Sequence, residues 1–346
     1  MTPAAPTRDG LLRAIDRMAG VAVLVVGDLV LDEFEYGEIG RISREAPVLI
    51  LNHRRIDRLP GGGANAAANL RALDGRPEMV GRVGEDEAGE HLISLLRERG
   101  IDVSGVWRDP AYGTPVKRRI LAGSAHSVKQ QVIRIDQGGG TPVEPSSSPL
   151  LREVRERSVR AAGALVSDYA LGLLHPGTIG PISETIRSAG RPLFVDSRTQ
   201  LRLFRGVAAA TPNLEEAEAA LGEPVGEDLA KLGRAGTLLR ESLDAEAIVV
   251  TRGSLGMSVF ARHEAPAHLP VYGTDEVADV TGAGDTVIST YALAALSGCR
   301  FEEAALLANY AGGIVVLKRG TATVSRDELR QAVRSDPAID RRLRRA

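Results

Sequence analysis

The amino-acid sequence predicts an α/β protein built on a doubly wound, mostly parallel β-sheet with helices on both faces. Short apolar runs, such as residues 21–26 and 247–250, each end at a polar residue or a glycine, and longer helical patterns separate them. A continuous apolar run of this kind is typical of a central parallel strand that is covered on both faces. Two further segments alternate apolar and polar residues without an intervening helix, which indicates a second, smaller sheet.

The predicted elements of the main sheet alternate along the chain, beginning with a short amphipathic helical pattern at residues 11–18. Later strands are predicted at 165–166, 193–195 and 247–250, and helices at 150–161, 177–189, 214–221, 229–243 and 286–296. Ligands of such sheets bind beyond the carboxyl ends of the strands. Four candidate site residues fall there: Asp28, Asp168, Asp196 and Arg252.

The second sheet is predicted from segments 34–56 and 114–136, which alternate apolar and polar residues. Within the latter segment, residues 116–121 and 128–135 have the pattern of two hairpin strands around the glycine–serine pair at 123–124. We expect both segments to form one small antiparallel lid over the edge of the main sheet. A Gly-, Pro- and Ser-rich connection then returns the chain to the main domain.

These elements divide the chain into three parts. A helical extension at residues 1–20 precedes a single main domain at 21–335, which includes the lid segments. The last part, 336–346, is rich in arginine, and we expect it to be a frayed tail. With 346 residues, of which 43% are hydrophobic, the chain can bury one large core.

Composition restricts the class of partner. The formal net charge is −2 and only 3% of residues are aromatic, so neither nucleic acid nor an anionic membrane is an expected partner. The first 20 residues lack the apolar region of a secretory signal, and we expect a cytoplasmic protein that binds a small molecule. The single cysteine, Cys299, and the scattered histidines predict no disulfide and no zinc cluster.

The strongest local motif spans residues 279–285 and reads DVTGAGD, directly before a helical pattern. Gly282 and Gly284 allow backbone N–H groups to converge at a helix N-terminus, which is an anion-binding arrangement. Such a cradle stabilises the charge that develops during phosphoryl transfer, and Asp285 beside it can accept a proton from a hydroxyl. An ordinary helix start with an aspartate cap is the alternative interpretation.

A second motif, PGGGANAAAN at residues 60–69, precedes an alanine-rich helical pattern. Gly62 and Gly63 permit a close approach of the backbone to a ligand, and Asn65 can hydrogen-bond a polyol. Glycine and alanine runs also serve tight helix packing, so this motif is weak by itself.

Basic residues in the lid form a third candidate group. Lys117, Arg118 and Arg119 can bind a substrate phosphate, or can equally be a solvated charge run on a strand. Strand alternation puts Lys117 and Arg119 on one face, which makes them the better candidates, and Arg134 lies on the next predicted strand. A role as a helix cap explains Asp196 as well as a role in the site does.

These motifs resemble the two signatures of the PfkB carbohydrate kinases. Residues 61–89, which include VGRVGED at 80–86, are similar to the first signature, and 279–285 to the second. The similarity extends from about residue 21 to 329. The resemblance implies a ribokinase-like three-layer fold and a kinase that uses ATP and Mg²⁺.

The resemblance also implies residue roles. Asp285 is implied as the catalytic base, with Gly282, Ala283 and Gly284 as the anion hole. Glu216, in the Asn213-x-x-Glu216 element, is implied to hold Mg²⁺ through water. Residues implied on the nucleotide side are Asn213, Thr251, Arg252, Gly253, Gly256, Thr281 and, at the adenine end, Asn309. Residues expected on the sugar side are Asp28, Asp32, Gly62, Gly63, Asn65, Lys117, Arg119, Arg134, Asp168, Asp196 and Arg198.

Within the family, the segments GDLVLD at 27–32, RISREAPV at 41–48 and SDY at 167–169 are most similar to the kinase domain of the bifunctional heptose 7-phosphate kinases. That branch implies phosphorylation of the anomeric hydroxyl of D-glycero-D-manno-heptose 7-phosphate. Two positions depart from its pattern: Leu171 replaces a lysine, and Arg198 stands where a lysine is common. Either Arg198 replaces the missing cation, or the substrate differs.

Other functions stay open at this point. The same scaffold can phosphorylate fructose 6-phosphate, ribose or an unphosphorylated sugar, and a catalytically silent sugar or nucleotide sensor is a further alternative. A dinucleotide oxidoreductase is disfavoured, because residues 27–32 lack the second and third glycines of the pyrophosphate turn. Exposed lid strands commonly pair across a two-fold axis, so we expect a homodimer through the lid.

Overall fold

The main sheet of this chain has helices on both faces and lies beside a smaller sheet. A computed structural model describes residues 6–124, 129–146, 148–273 and 277–343. Among these residues the main sheet has nine strands in the order β13-β12-β11-β10-β9-β8-β1-β4-β5, and the smaller one has four in the order β3-β2-β6-β7. The predicted α/β fold class is therefore confirmed.

The strands of both sheets are β1 (Ala22–Gly27), β2 (Leu29–Ile42), β3 (Leu49–Gly62), β4 (Arg76–Gly84), β5 (Asp102–Asp109), β6 (Val116–Gly123), β7 (Gln130–Gln137), β8 (Gly163–Asp168), β9 (Leu193–Ser197), β10 (Ala209–Ala210), β11 (Ala247–Thr251), β12 (Met257–Ala261) and β13 (Ala267–Leu269). The helices are α1 (Arg8–Arg17), α2 (Gly63–Ala72), α3 (Glu87–Glu98), α4 (Leu150–Ser158), α5 (Pro176–Ser188), α6 (Leu214–Leu221), α7 (Leu229–Ser242), α8 (Ala283–Leu296), α9 (Phe301–Val315), α10 (Arg326–Ser335) and α11 (Ile339–Leu343).

The main sheet is parallel from β11 to β5 and ends in the antiparallel pairs β11–β12 and β12–β13. All six residues of β1, an interior strand between β8 and β4, are buried. Val23 and Val25 face one core with α1, α2, α3, α8, α9 and α10, whereas Leu24 and Val26 face the other with α4, α5, α6 and α7. Burial on both faces explains why this strand is apolar at every position rather than at alternate ones.

The smaller sheet is the expected lid, and it consists of two antiparallel hairpins joined side by side. Strands β2 and β3 form one hairpin and β6 and β7 the other, whereas the central pair β2–β6 is parallel. The lid strands begin nearer the main sheet than predicted, at Leu29 rather than residue 34, and β3 continues to Gly62. The turn expected between the second pair of strands includes residues 125–128, which lie outside the described residues.

The C-terminal segment differs from its prediction. Residues 336–346 were expected to fray, but 339–343 form α11, and Arg342 anchors this helix to the main domain. Its guanidinium pairs with buried Asp336 at 2.7 Å and donates to the carbonyl oxygens of Pro270 and Val271. The Tyr310 hydroxyl donates to the same Asp336 carboxylate at 2.7 Å. Arginine content alone does not reveal such a buried partner.

No helix in the described parts of the chain combines the length and apolar character that a membrane span requires.

Replacing Arg342 by alanine should lower the free energy of unfolding by about 2 kcal/mol, because the Asp336 carboxylate would lose its cation while staying buried. Arg341→Ala is the matched control, since Arg341 is the exposed neighbour on the same helix. Its free energy of unfolding should change by less than about 0.5 kcal/mol. Urea denaturation of both variants measures the difference, and equal midpoints would show that the tail does not contribute to stability.

Candidate functional site

The candidate site lies where the carboxyl ends of the central strands meet the N-terminus of α8 and the lid. Strands β1, β8, β9 and β11 are parallel, so the residues that follow them gather at the same edge of the sheet. This brings the loops after Asp168, Ser197 and Thr251 close to one another, as the sequence predicted.

Asp285 occupies the first turn of α8 and is 1% exposed. Its Oδ2 accepts a hydrogen bond from Asn65 Nδ2 at 2.8 Å, and its Oδ1 accepts one from the Tyr169 hydroxyl at 2.9 Å. The two donors come from α2 and from the loop after β8. Three separate elements of the fold therefore fix the orientation of this carboxylate.

Burial raises the pKa of Asp285 to about 6, and the charge of Asp32 acts in the same direction. The hydrogen bonds from Asn65 and Tyr169 and the charge of Arg198 oppose this rise. A carboxylate with such a pKa is ionised at neutral pH and holds a proton more tightly than an exposed aspartate does. These are the properties of a general base for an alcohol.

Asn65 has a different role from the predicted contact with a polyol. Its amide is 1% exposed, and while Nδ2 holds Asp285, Oδ1 accepts from Asn69 Nδ2 at 3.2 Å. Asn69 Oδ1 in turn accepts from the Thr286 hydroxyl at 2.9 Å. The two asparagines thus form a buried polar connection between α2 and α8, and Asn65 supports the base instead of facing an open surface.

The glycines of the 279–285 motif lie at the start of α8, where the sequence predicts an anion-binding cradle. Gly282 has φ 77°, and a Cβ there would lie 2.5 Å from Asn65 Nδ2, so only glycine fits. A Cβ at Gly284 would have no atom within 4 Å, which leaves open space beside the first turn. Ala283 N–H is already used by Val280 O at 3.2 Å. In the described ranges, the Gly284 and Asp285 amides have no acceptor and can bind an anion.

Asp279, which begins the motif, holds the loop in place. Its carboxylate accepts from Thr281 N–H and from Gly320 N–H, both at 2.9 Å. Thr281 remains half-buried, and its expected contact with the nucleotide stays a prediction.

Asp28 and Asp168 were expected to contact the sugar, and the structure gives both of them another role. Asp28 is 2% exposed and accepts from three backbone amides, those of Tyr169, Leu171 and Leu173. Asp168 is 1% exposed and accepts from Ala170 N–H and the Ser197 hydroxyl. Buried carboxylates with these bonds shape the loop after β8 and have no open face for a ligand.

Gly62 and Gly63, from the second glycine motif, allow close packing of the backbone. A Cβ at Gly62 would lie 2.7 Å from Asp28 O, and one at Gly63 would lie 3.2 Å from the Gly27 Cα. These contacts explain the glycines by the approach of α2 to β1, which was the alternative given by the sequence.

The cations of the lid and of the loop after β9 divide into paired and unpaired groups. Arg119 is buried and pairs with Asp32, whereas exposed Arg134 pairs with its neighbour Asp136. Lys117 and Arg198 lie against the Tyr169 ring, 4.9 and 4.3 Å from its centroid. Neither has a carboxylate within ion-pairing distance in the part of the chain that the structure describes.

The surroundings of Lys117 act on its charge in both directions. Burial and the charge of Arg198 lower the pKa of Lys117, whereas the charges of Asp32 and Asp136 oppose this decrease. Asp196 is half-buried, and burial with the charges of Asp285 and Glu216 raises its pKa well above its usual range. The site therefore contains several carboxylates together with two cations that form no close ion pair among the described residues.

Asn213 and Glu216 form a capping box at the start of α6. Glu216 N–H donates to Asn213 Oδ1 at 2.8 Å, and Asn213 N–H donates to Glu216 Oε2 at 2.9 Å. The spacing of this element therefore has a structural explanation as well as the implied role with Mg²⁺. Glu216 keeps one carboxylate oxygen free of these bonds, and burial raises its pKa.

The loop after β11 is a tight turn. Gly253 and Gly256 have φ 54° and 82°, and a Cβ at Gly256 would lie 2.1 Å from Leu269 O. Arg252 donates to the Ser258 hydroxyl at 3.2 Å, and Thr251 N–H donates to Pro212 O at 2.9 Å. These residues line the same edge as Asn213, which bridges to Thr251.

Asn309 was expected at the adenine end, but its amide is buried and already bonded. Nδ2 donates to Pro270 O at 2.7 Å, and Oδ1 accepts from Tyr272 N–H at 3.4 Å. With 2% of its surface exposed, Asn309 supports the loop that follows β13. The structure does not offer it to a ligand.

Two residues of the site were not assigned from the sequence. Tyr169 was noted only as part of the SDY segment, and its contact with Asp285 requires the tertiary fold. Asn69 could have been found, since it lies four residues after Asn65 on a predicted helix and so on the same face.

Comparison with known proteins agrees with this geometry. A family model described as pfkB family carbohydrate kinase matches residues 23–328. The bifunctional protein HldE of Alkalilimnicola ehrlichii is 43% identical over 90% of this chain, and that of Geobacter metallireducens is 40% identical over 89%. The chain spans 63% and 62% of the lengths of these two relatives.

Solved structures share the fold at lower identity. Arabidopsis thaliana ribokinase, solved with ribose and ATP, has a TM-score of 0.71 at 20% identity and covers 92% of this chain and 100% of its own. Phosphofructokinase-2 of Escherichia coli has a TM-score of 0.71 at 19% identity, covering 91% and 99%. The family model, which matches most of the chain, carries the assignment: the chain belongs to the pfkB family of carbohydrate kinases.

Proposed function

We propose that this chain is an ATP-dependent sugar kinase in which Asp285 is the catalytic base. The observation that carries the proposal is the position of this carboxylate: it is buried, has a pKa of about 6, and lies beside the open cradle at the start of α8. A proton acceptor next to free backbone amides is what transfer of a phosphoryl group to a hydroxyl requires.

In the proposed reaction, Asp285 accepts the proton of the sugar hydroxyl as that oxygen attacks the γ-phosphorus of ATP. The bond from the γ-phosphorus to the bridging oxygen breaks, and ADP leaves. The negative charge that develops on the transferred group faces the amides of Gly284 and Asp285. Closure of the lid would exclude water, which limits hydrolysis of ATP.

The nucleotide would lie along the edge formed by Thr251, Arg252, Gly253, Gly256 and Thr281. Mg²⁺ neutralises phosphate charge when it is bound, and it favours sites with one or two carboxylates, water and substrate phosphates. Glu216 fits this description, because one of its carboxylate oxygens is free of the capping box. The described residues include no cluster of three or more His, Cys, Asp or Glu side chains that could hold a metal by themselves.

For the sugar, we propose D-glycero-D-manno-heptose 7-phosphate, phosphorylated on the anomeric hydroxyl to give the 1,7-bisphosphate. The sequence similarity to the heptose kinase branch supports this choice. So do Lys117 and Arg198, since two close cations without a carboxylate partner are suited to a substrate phosphate. Arg198 would replace the lysine that is absent at Leu171. Asp32, Asp196 and Arg119 remain as side chains near the sugar.

The protein should release ADP from Mg-ATP with heptose 7-phosphate, and much less with its dephosphorylated form, fructose 6-phosphate or ribose. A coupled assay for ADP measures turnover on each sugar, and phosphorus NMR places the new phosphate. Turnover on another sugar with none on heptose 7-phosphate would overturn the proposed substrate but keep the kinase.

Asp285→Asn is the control for the mechanism. It should bind ATP and keep the fold, while kcat falls about 10²–10⁴-fold because the hydroxyl has lost its proton acceptor. Near-normal turnover in this variant would remove Asp285 as the base.

Lys117→Met and Arg198→Met should each raise the KM for heptose 7-phosphate about 10-fold, because each removes a charged donor to the phosphate. The KM for the dephosphorylated sugar should not change. Arg118→Met serves as the matched control, since Arg118 is on the opposite face of β6 and pairs with Glu33 at 2.7 Å. Equal effects of Lys117→Met and Arg198→Met on the KM of both sugars would argue against a phosphate contact.

We also propose a cytoplasmic homodimer that forms through the lid. Its support is the exposed apolar surface of the lid strands and of the turn between β2 and β3: Ile39, Ile42, Val48, Leu49, Val132, Ile133 and Ile135. Exposed strand edges and apolar patches of this type commonly pair with a second copy.

Ile42→Asp combined with Ile133→Asp should convert the dimer into a monomer, because both charges would be placed in the apolar contact. Val159→Asp is the control, since Val159 is 66% exposed and lies after α4, outside the lid. Sedimentation equilibrium gives the mass of each variant. A wild-type protein that sediments as a monomer at all concentrations would exclude this assembly.

A further inference from the structure

Tyr169 is bonded to Asp285, and the mechanism above gives its hydroxyl no role. Its hydroxyl lies 2.9 Å from Asp285 Oδ1, while Asn65 holds Oδ2. Burial and the nearby charge of Asp285 raise the pKa of Tyr169 well above its usual range, so the phenol keeps its proton and is the donor. A donor to each oxygen fixes the rotation of the carboxylate about its χ2 bond.

The backbone and ring of Tyr169 are both held in place. Its backbone N–H donates to Asp28 Oδ2 at 2.9 Å, which anchors the start of the loop after β8. Its ring is in contact with the two unpaired cations, Lys117 from the lid and Arg198 from the loop after β9. Cations over an aromatic face stabilise the position of the ring. The hydroxyl is therefore directed to Asp285 by contacts from three different elements.

We propose that Tyr169 is a positioning residue for the base, which orients the Asp285 carboxylate and favours its ionised form. The proposal rests on the proposed function, in which Asp285 accepts the hydroxyl proton. It assigns to the tyrosine of the SDY segment a role in the chemistry, beyond the shape of the loop.

The charges that face Asp285 determine the direction of the effect. Asp32, on β2, raises the pKa of Asp285, and Arg198, in the loop after β9, lowers it. Asp196, which lies on β9 itself, also interacts with Asp285. Lys117, from β6, lies against the Tyr169 ring, with its Nζ 4.9 Å from the ring centroid. The hydrogen bonds from Asn65 and Tyr169 both lower the pKa. Loss of the phenol hydroxyl removes one of these bonds and should raise the pKa further above 6.

The sign of the kinetic effect follows from this direction. A general base works in its ionised form, so kcat falls as the pH decreases through its pKa. A higher pKa moves this fall to higher pH. Tyr169→Phe keeps the ring, and with it the contacts with Lys117 and Arg198, but removes the hydroxyl.

In Tyr169→Phe, the pH at which kcat falls on acidification should be about one unit higher than in the wild type. This is the size expected for the loss of one hydrogen bond to an ionised group. At high pH, kcat should return to within a few-fold of the wild type, and the KM for the sugar should hardly change. Tyr112→Phe is the matched control. The Tyr112 hydroxyl donates to Leu171 O at 3.2 Å in the same loop and has no contact with Asp285, so the pH at which kcat falls should not change.

A second measurement does not depend on turnover. Carbon-13 NMR of the protein labelled at aspartate carboxyl carbons gives the pKa of Asp285 directly, with Asp285→Asn to assign its signal. The carboxyl should titrate at higher pH in Tyr169→Phe than in the wild type and at the wild-type pH in Tyr112→Phe. Site-specific 3-fluorotyrosine at position 169 is a stronger donor, and should move the titration in the opposite direction.

The outcomes separate this proposal from the proposed function. An unchanged titration of Asp285 in both Tyr169 variants would overturn the role of Tyr169, whatever the substrate. A raised KM with an equal loss of kcat at every pH would also overturn it, and would indicate that Tyr169 contacts the sugar. If Asp285→Asn retained turnover, the assignment of Asp285 as the catalytic base would be wrong. The NMR titration would still decide whether Tyr169 stabilises the ionised Asp285 carboxylate.

Discussion

The contact between α2 and α8 is the constraint on which the site depends. Asn65 and Asn69 on α2 reach Asp285 and Thr286 on α8 through buried hydrogen bonds. The helices can approach this closely because α2 is rich in alanine and because Gly282 has no side chain. Burial raises the pKa of the Asp285 carboxylate, and the hydrogen-bond donors lower it. The contact supplies both, and so fixes the proton affinity of the base together with its position.

The fold was predictable from the sequence wherever local pattern and burial agree. Helix α6 occurs at the predicted residues, and β1 follows its apolar run, because both patterns depend on immediate neighbours. Strand β4 was not predicted. It contains Glu78 and Arg82, which are buried only because they pair with residues from distant segments. Helix α11 was missed for the same reason, since the partners of Arg342 are Asp336 and the loop after β13. Pairs of this kind are set by the tertiary fold.

The site was predictable as a set of residue types, but not as a set of roles. Asp285 and the glycines of its motif lie where the sequence put them, at a helix N-terminus. Asp28, Asp168, Asn65 and Asn309 were expected to contact ligands, yet their polar atoms are already bonded within the protein. Which donors and acceptors remain free is a property of the assembled fold. For that reason, the sequence predicts which edge of the sheet forms the site. It does not predict which of the residues there are free to contact a ligand and which hold other residues in place.

The β2–β3 hairpin of the lid joins the main domain without a linker at either end, whereas residues 110–115 and 138–149 connect the β6–β7 hairpin to it. A single residue, Asp28, separates β1 from β2, and β3 passes directly from Gly62 into α2 at Gly63. Asp28 is itself held by three amides. The β2–β3 hairpin is therefore continuous with a strand of the main sheet at one end and with a helix at the other, and a movement of this hairpin would bend or twist its own long strands. Because that helix carries Asn65, such a movement would also act on the amide that holds Asp285 Oδ2.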